Sequence, residues 1–576
     1  MRVQIRTVDA RTLAPLPCRL SIVTRQDAAW DRDGQGRPLA YLGLPRLWTP
    51  GQWEGDLPDE EVTIVAARPY EYGTAERVLR PPFPSPVILR LAPRSDLRSG
   101  NWFCGDAHQH VVHGEALLQV DVRTAARVAR AEGLDWVVLD GRFTSMPGAA
   151  EPTPRALRRI CSESSRRDFS VYWADEYPKH DLGHLACLPY RADLSPAQIG
   201  GEGIYHLQPG QRTPYTNFES IRALQRHGTT AVYVHPAREL GGPPGRPGNI
   251  ARELPLDTLV APWAIEALDV MSDRIDDPVC TALWYRLLNQ GHRVGLCAFN
   301  DACYDRAGDP WREPVAYRRT YVRCDPASGL EGLVAGIRAG RTFGTTGPLL
   351  DLTVDGAGPG ETVAPRSQPH RVRLRAWGAP SYRDPRRRGH LRRAEVITEG
   401  QVVQAWDLES APPAYVDLIC CVATGPRSWL AARVYGTVEE QLAGTSPVYV
   451  AEGPYAPPAP VCAHVRGTVI DARSGRLLEG RIELVEYAHD QCHARPAGAF
   501  QNGRFELDLP ADLRVRVLVD GRRPQTLSPV LHNDPIYRDL LGRIRAEDLA
   551  SPAYYQALAA AMARVDLAYV LQPAAP

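Results

Sequence analysis

Three times in the middle of the chain a capped amphipathic helix is followed by a short apolar run that ends on a polar residue. Asp121 can cap a helix whose apolar positions Val122, Ala125, Ala126 and Ala129 fall on one face; Gly133 ends it, and L-D-W-V-V-L, closing at Leu139, reads as a buried strand. Thr216 with Glu219 forms a capping-box pattern before I-R-A-L-Q-R-H, Gly228 stops that helix, and T-T-A-V-Y-V leads into His235-Pro236. Asp277 with Pro278 opens a third helix, Gly291 closes it, and R-V-G-L-C-A-F runs into Asn300-Asp301. Alternation of this kind predicts parallel strands joined by crossover helices, an α/β fold of the (β/α) barrel type.

In such a barrel the carboxyl ends of the strands share one mouth, so residues far apart in sequence are expected to converge there. The stretch from Trp102 to His113 reads W-F-C-G-D-A-H-Q-H-V-V-H. As a strand it places Asp106, His108 and His110 on one face. Glu176 follows F-S-V-Y-W-A-D, His235 follows A-V-Y-V, and Asp301 follows V-G-L-C-A-F-N. One histidine after a strand is usually structural. Several imidazoles and carboxylates at successive strand ends point to a metal centre.

The flanks read differently. At 576 residues the chain exceeds a single core. From Met1 to about Ala92, short β-type runs are separated by Pro and Gly, which predicts a small β-sandwich. The unit recurs: Val8 to Val23 can be laid on Ile470 to Val485, pairing Asp9 with Asp471 and Arg19 with Arg481, and W-E-G-D-L-P at Trp53 echoes F-E-L-D-L-P at Phe505. The strand-turn pattern at Gly467 to Ile482 resembles the carboxypeptidase-regulatory or transthyretin-like β-sandwich. The expected division is a sandwich over residues 1–96, the barrel over 97–348, a β-rich domain over 349–458, a second sandwich over 459–530 and a helical tail over 531–576. Whether that tail docks on the last sandwich or mediates self-association is left open by the sequence.

Charge excludes some partners. Lys plus Arg and Asp plus Glu both number 67, giving no net charge for a nucleic acid or an anionic membrane to read. The basic run Arg383 to Arg393 has no aromatic stacking residues with it and reads as a solvated loop. No signal peptide or membrane-length apolar run is evident, so a cytoplasmic location is expected. Twelve scattered cysteines do not make a disulfide framework. Neither a G-x-S-x-G nucleophile nor a supported lysine is seen, Lys179 being the sole lysine.

G-D-A-H-Q-H at Gly105, D-E-Y followed by G-H from Asp175 to His184, V-H-P at Val234 and F-N-D-A at Phe299 resemble the motifs of the polymerase-and-histidinol-phosphatase (PHP) superfamily. W-Y-R-L-L-N-Q-G at Trp284, R-A-G-R-T-F-G-T-T-G-P-L-L at Arg338 and T-S-P-V-Y-V at Thr445 are similar to its carbaryl-hydrolase-like CehA/McbA branch. The likeness spans Asn101 to Tyr455. It implies a distorted (β/α)7 barrel and metal ligation by His108, His110, Glu176, His184, His235 and Asp301, with His113 a further candidate. Two departures stand out: the family's T-D-H is replaced by L-D-G-R at Leu139 to Arg142, and its closing D-x-H by Asp301-Ala302-Cys303, where a thiolate can serve zinc.

One or two divalent ions are therefore expected, zinc first, with manganese or iron as alternatives. The implied activity on a small-molecule substrate is hydrolysis of an ester, carbamate, amide or phosphoester bond by metal-activated water. Glu176 or Asp301 would take the proton and Arg142 would hold an anionic oxygen. A PHP-type phosphoesterase, and a weakened barrel that binds a carbohydrate or a protein, are the other readings.

Overall fold

The computed structural model describes residues 1–24, 40–41, 44–45, 47–111, 120–140, 154–180, 182–189, 213–238, 250–271, 277–304, 314–438, 441–453, 455–457, 459–489 and 491–574. Two compact units are distinguished: Met1–Asp175 with Asp269–Asp276 and Val294–Tyr455, and Glu176–Leu268 with Asp277–Arg293 and Ala456–Pro576. The stretch expected as one barrel, 97–348, is divided between them.

In the first unit the strand Trp102–His110 lies parallel to Trp136–Asp140, which lies parallel to Ser170–Ala174. The crossover helix Val122–Ala131 starts where the Asp121 carboxylate accepts from the Thr124 N–H, and it buries Val122, Ala125, Ala126, Val128 and Ala129. To this point the α/β expectation is met. On the other side of Trp102–His110, however, Arg319–Arg323 runs antiparallel. The sheet then continues through Thr342–Thr345, Leu442–Thr445, Ser428–Gly436 and Leu391–Thr398 to Gln401–Asp407. The described residues thus form a mixed α/β structure without a closed (β/α)7 barrel. In a (β/α) barrel each strand runs parallel to the next, whereas here the antiparallel neighbour extends the sheet into the region expected as a separate β-rich domain.

Gly105 marks where the strand Trp102–His110 meets its neighbour. A Cβ there would lie 2.1 Å from the Trp136 indole and 2.3 Å from its carbonyl oxygen, so the close approach of the two strands requires glycine.

The two sandwiches repeat each other strand for strand. In the first, a layer of Gln52–Asp56, Arg2–Asp9 and Val87–Leu91 is accompanied by one of Leu47–Thr49, Cys18–Thr24, Val62–Ala67 and Ala75–Leu79. Val3, Ile5, Leu20, Ile22, Ile64 and Leu89 belong to its core. In the second, the corresponding layers are Arg504–Pro510, Cys462–Asp471 and Val565–Leu571, and His493–Phe500, Gly480–Glu486, Arg514–Leu518 and Gln525–Leu527. The paired aspartates do the same work. Asp9 Oδ1 accepts the N–H groups of Arg11 and Thr12, both at 2.8 Å, and Asp471 Oδ1 accepts those of Arg473 and Ser474 at 3.0 and 2.8 Å.

The tail differs from the expectation. Its helix, Pro552–Met562, is present, but Val565–Leu571 is a strand parallel to Cys462–Asp471 that completes the second sandwich. That sandwich therefore runs past residue 530. V-D-L-A-Y-V-L alternates buried and exposed as a half-buried strand should.

In the second unit, helix Asn217–Arg226 carries the predicted capping box of Thr216 and Glu219, and Pro278–Asn289 begins at the predicted cap, Asp277. The second sandwich is fastened to the former helix. Arg514 donates to Glu219 Oε1 and Oε2 at 2.7 and 2.6 Å, Arg222 pairs with Asp512, and Arg226 pairs with Glu486. Ser328 and Glu331 have capping-box spacing ahead of helix Gly329–Arg338, but no cap hydrogen bond forms from Ser328. Ser328 is already helical, and Asp325 instead caps the preceding turn by accepting from Ala327 N–H. Among the described residues no helix is long and apolar enough to cross a membrane.

Candidate metal centre

His108 and His110 end the strand Trp102–His110, and Asp301 follows the strand Gly295–Cys297. In the first unit these three meet. Asp301 Oδ1 lies 3.3 Å from His108 Nε2 and 3.1 Å from His110 Nε2, and one donor atom from each of the three lies within 4.8 Å of the others. All three residues are buried. Two imidazoles and a carboxylate buried together are a donor set that suits zinc, iron or manganese, so the residues present fit a divalent cation.

Asp140 supplies a support that the sequence did not assign. Its Oδ2 lies 3.0 Å from His110 Nδ1, on the opposite edge of the ring from Asp301. A carboxylate this close to one ring nitrogen favours the orientation that turns the other nitrogen toward Asp301. The sequence signal was there: Asp140 ends its own strand as His110 ends its strand.

Asp301 reaches this position from a left-handed backbone, φ 50°, and His235 of the second unit has φ 36°. Each costs on the order of 1 kcal/mol for a side chain with a Cβ. Such conformations persist where surrounding contacts fix them. Around Asp301 those contacts are Phe299 N–H donating to Asp269 Oδ1 at 3.0 Å, Asn300 N–H to Asp106 Oδ1 at 3.3 Å, and the pairing of Ala302 and Cys303 with Gln109 and His110.

In the second unit one carboxylate faces two imidazoles. Glu176 Oε1 lies 2.9 Å from His184 Nδ1 and 3.1 Å from His235 Nε2. The two rings meet edge-on at 5.0 Å between centroids, as those of His108 and His110 do at 5.1 Å. Burial, helped by the charge of Arg238, pushes His235 down to about 4, so the ring is neutral at pH 7 and its lone pair is available to a cation.

The remaining expected site residues fall outside these sets. Cys303 is buried on the strand Ala302–Cys303 beside His110, yet its thiol is not among the gathered donors of the described residues. Arg142 and His113 lie outside the described residues. Asp106, expected to share a face with the two histidines, instead accepts hydrogen bonds from His108 N–H at 2.9 Å and the Gln109 amide at 2.8 Å. Its strand loses regular register between Asp106 and Gln109, which breaks the alternation. Burial pushes its carboxyl up to about 6 even with these donors.

Behind His235, Tyr233 OH donates to Asp257 Oδ2 at 2.8 Å, and Glu253 caps helix Asn217–Arg226 by accepting Asn217 N–H at 2.9 and 3.0 Å. Both carboxyls are fully buried. Burial raises both, Asp257 to about 7, and the neighbouring Asp257 charge raises Glu253 further. The unfolded chain ionises near the ordinary carboxylate value, so folding is progressively penalised as pH rises from about 4 through 7. Asp257→Asn keeps the acceptor for Tyr233 and removes the Asp257 share of that penalty. Denaturant unfolding at pH 8 should show the variant more stable than wild type by about 1–3 kcal/mol, with a smaller gap at pH 4.5. Equal stability at both pH values would show that the pair carries no such cost.

The chain matches no protein-family model and no curated protein. Among solved structures it is similar to a two-domain protein containing a predicted PHP-like metal-dependent phosphoesterase from Bacteroides vulgatus, at 12% identity over 60% of this chain and 95% of that one, with a TM-score of 0.31. It is also similar to BcpA, the major pilin subunit of Bacillus cereus, at 10% identity over 40% of this chain and 72% of that one, TM-score 0.11. The Bacillus anthracis TIE protein is similar at 9% identity over 51% of this chain and 55% of that one, TM-score 0.13. Likeness at these scores leaves the functional assignment to the chemistry of the site.

Proposed function

We propose that the protein is a metal-dependent hydrolase of small-molecule esters, carbamates, amides or phosphoesters. The observation that carries this reading is the buried meeting of His108, His110 and Asp301, whose donor atoms lie within 4.8 Å. Imidazole and carboxylate held together out of water are costly unless a proton or a cation lies among them, and at neutral pH a divalent cation satisfies all three at once.

Bound there, such a cation supplies Lewis acidity toward a carbonyl or phosphoryl oxygen. The chain's own part is orientation and proton handling. Asp140 keeps His110 turned toward Asp301. The carboxylate of each set, Asp301 in the first unit and Glu176 in the second, is the proposed acceptor for the proton of the attacking water. The motif resemblance to the PHP superfamily and its CehA/McbA branch supports hydrolysis, with zinc as the first candidate.

Two measurements on the purified full chain test the reading. Elemental analysis should find one or two equivalents of zinc, manganese or iron. A panel of phosphate monoester, phosphodiester, carboxyl ester and carbamate substrates should show turnover that a chelator abolishes and the returned metal restores. A protein that holds no metal after exposure to each of the three ions would overturn it.

A further inference from the structure

Asp301 sits in a short segment held from both ends by side chains of the strand Trp102–His110. Asp106 Oδ1 accepts Asn300 N–H at 3.3 Å and His108 N–H at 2.9 Å, so one oxygen joins the backbones on either side of the donor set. Its other oxygen accepts the Gln109 amide at 2.8 Å, and Tyr304 OH donates to Gln109 Oε1. The Gln109 amide is thereby fixed in orientation, nitrogen to Asp106 and oxygen to Tyr304. The network runs from residue 300 to residue 304 and encloses Asp301. Asp106 and Gln109 are fully buried, and Asn300 and Tyr304 nearly so.

We propose that Asp106 and Gln109 act as a clamp, positioning residues that hold Asp301 in its left-handed conformation and so aim Oδ1 at both histidines. This rests on the reading that His108, His110 and Asp301 hold a cation. The residue types follow from the donors they face. Three N–H groups converge on Asp106, which an acceptor-only carboxylate satisfies; Gln109 donates on one side and accepts on the other, which its amide does from one planar group. Because these side chains are buried, an unmatched donor there is costly.

The test is metal affinity of the full chain, measured by chelator competition with Zn2+ and with Mn2+, alongside thermal unfolding of each variant. Asp106→Ala should weaken binding about 10–100-fold, the range for partners that orient metal ligands. Asp106→Asn sets an amide donor against the Gln109 amide and should weaken it about 10-fold. Combining Asp106→Asn with Gln109→Glu restores every donor–acceptor match, since the new carboxylate accepts from both the amide and Tyr304, and should bring affinity back to within about threefold of wild type.

A residue that only stabilises the fold would lower the melting temperature and leave the affinity of the folded protein alone, and it would not be rescued by the exchange. Should Asp106→Ala fail to fold, the single and double exchanges still decide. Tight metal binding by wild type that is unchanged in Asp106→Asn, or a double variant no better than the single, overturns the clamp alone. Absence of metal binding by wild type overturns both the clamp and the metal-centre reading.

Discussion

His110→Ala should lower turnover by at least about 10³-fold, corresponding to roughly 4 kcal/mol of transition-state stabilisation, and should leave the first unit's donor set without metal at micromolar concentrations of the ion. The ring is wholly buried and carries two contacts at once, Asp301 at 3.1 Å on Nε2 and Asp140 at 3.0 Å on Nδ1. Its removal therefore takes away a ligand and strands the carboxylate that supported it. Wild-type protein stripped by a chelator should fall to the same rate and recover when metal is returned, which the variant should not do. A folded His110→Ala protein that keeps its metal and its rate would show that this set is not where the chemistry happens.

Strand ends are a local signal in sequence. Apolar runs closing on His108, His110, His235 and Asp301 can be read one at a time, and so can the caps at Asp121, Thr216 and Asp277, each confirmed by its hydrogen bond. The sandwich repeat was legible for the same reason, because Asp9 and Asp471 each shape a turn with neighbours two and three residues on. What local pattern does not carry is pairing direction. Nothing in R-T-Y-V-R announces that Arg319–Arg323 runs antiparallel to Trp102–His110, since direction is set by partners far away in sequence, and the closed barrel was lost at that point. Asp106 was misplaced by the same limit. Strict alternation put it beside the histidines, whereas an irregular register with Trp136–Asp140 turned it toward backbone donors.

The largest stability effect is expected at Glu132→Ala. Arg19, from the first sandwich, lies 3.3 Å from Glu132 Oε2 with both side chains 1% exposed, and Trp48 Nε1 donates to Oε1 at 2.9 Å. Arg19 also donates to the Tyr382 carbonyl and stacks 4.5 Å above that ring. Removing the carboxylate leaves a guanidinium buried without its counter-charge, a change that costs about 3–5 kcal/mol, whereas the exposed pair Arg2–Glu54, at 72% and 48% exposure, should cost under about 1 kcal/mol when broken. The sign of the comparison matters more than its size. If the penalty comes from the stranded charge, then exchanging both partners for apolar side chains, Arg19→Met with Glu132→Leu, should recover most of the loss, because desolvating the pair was itself expensive. Denaturant unfolding of the four proteins decides it: a single-variant loss below about 1 kcal/mol, or a double variant no more stable than Glu132→Ala, would mean that packing rather than charge fastens the first sandwich to the rest of its unit.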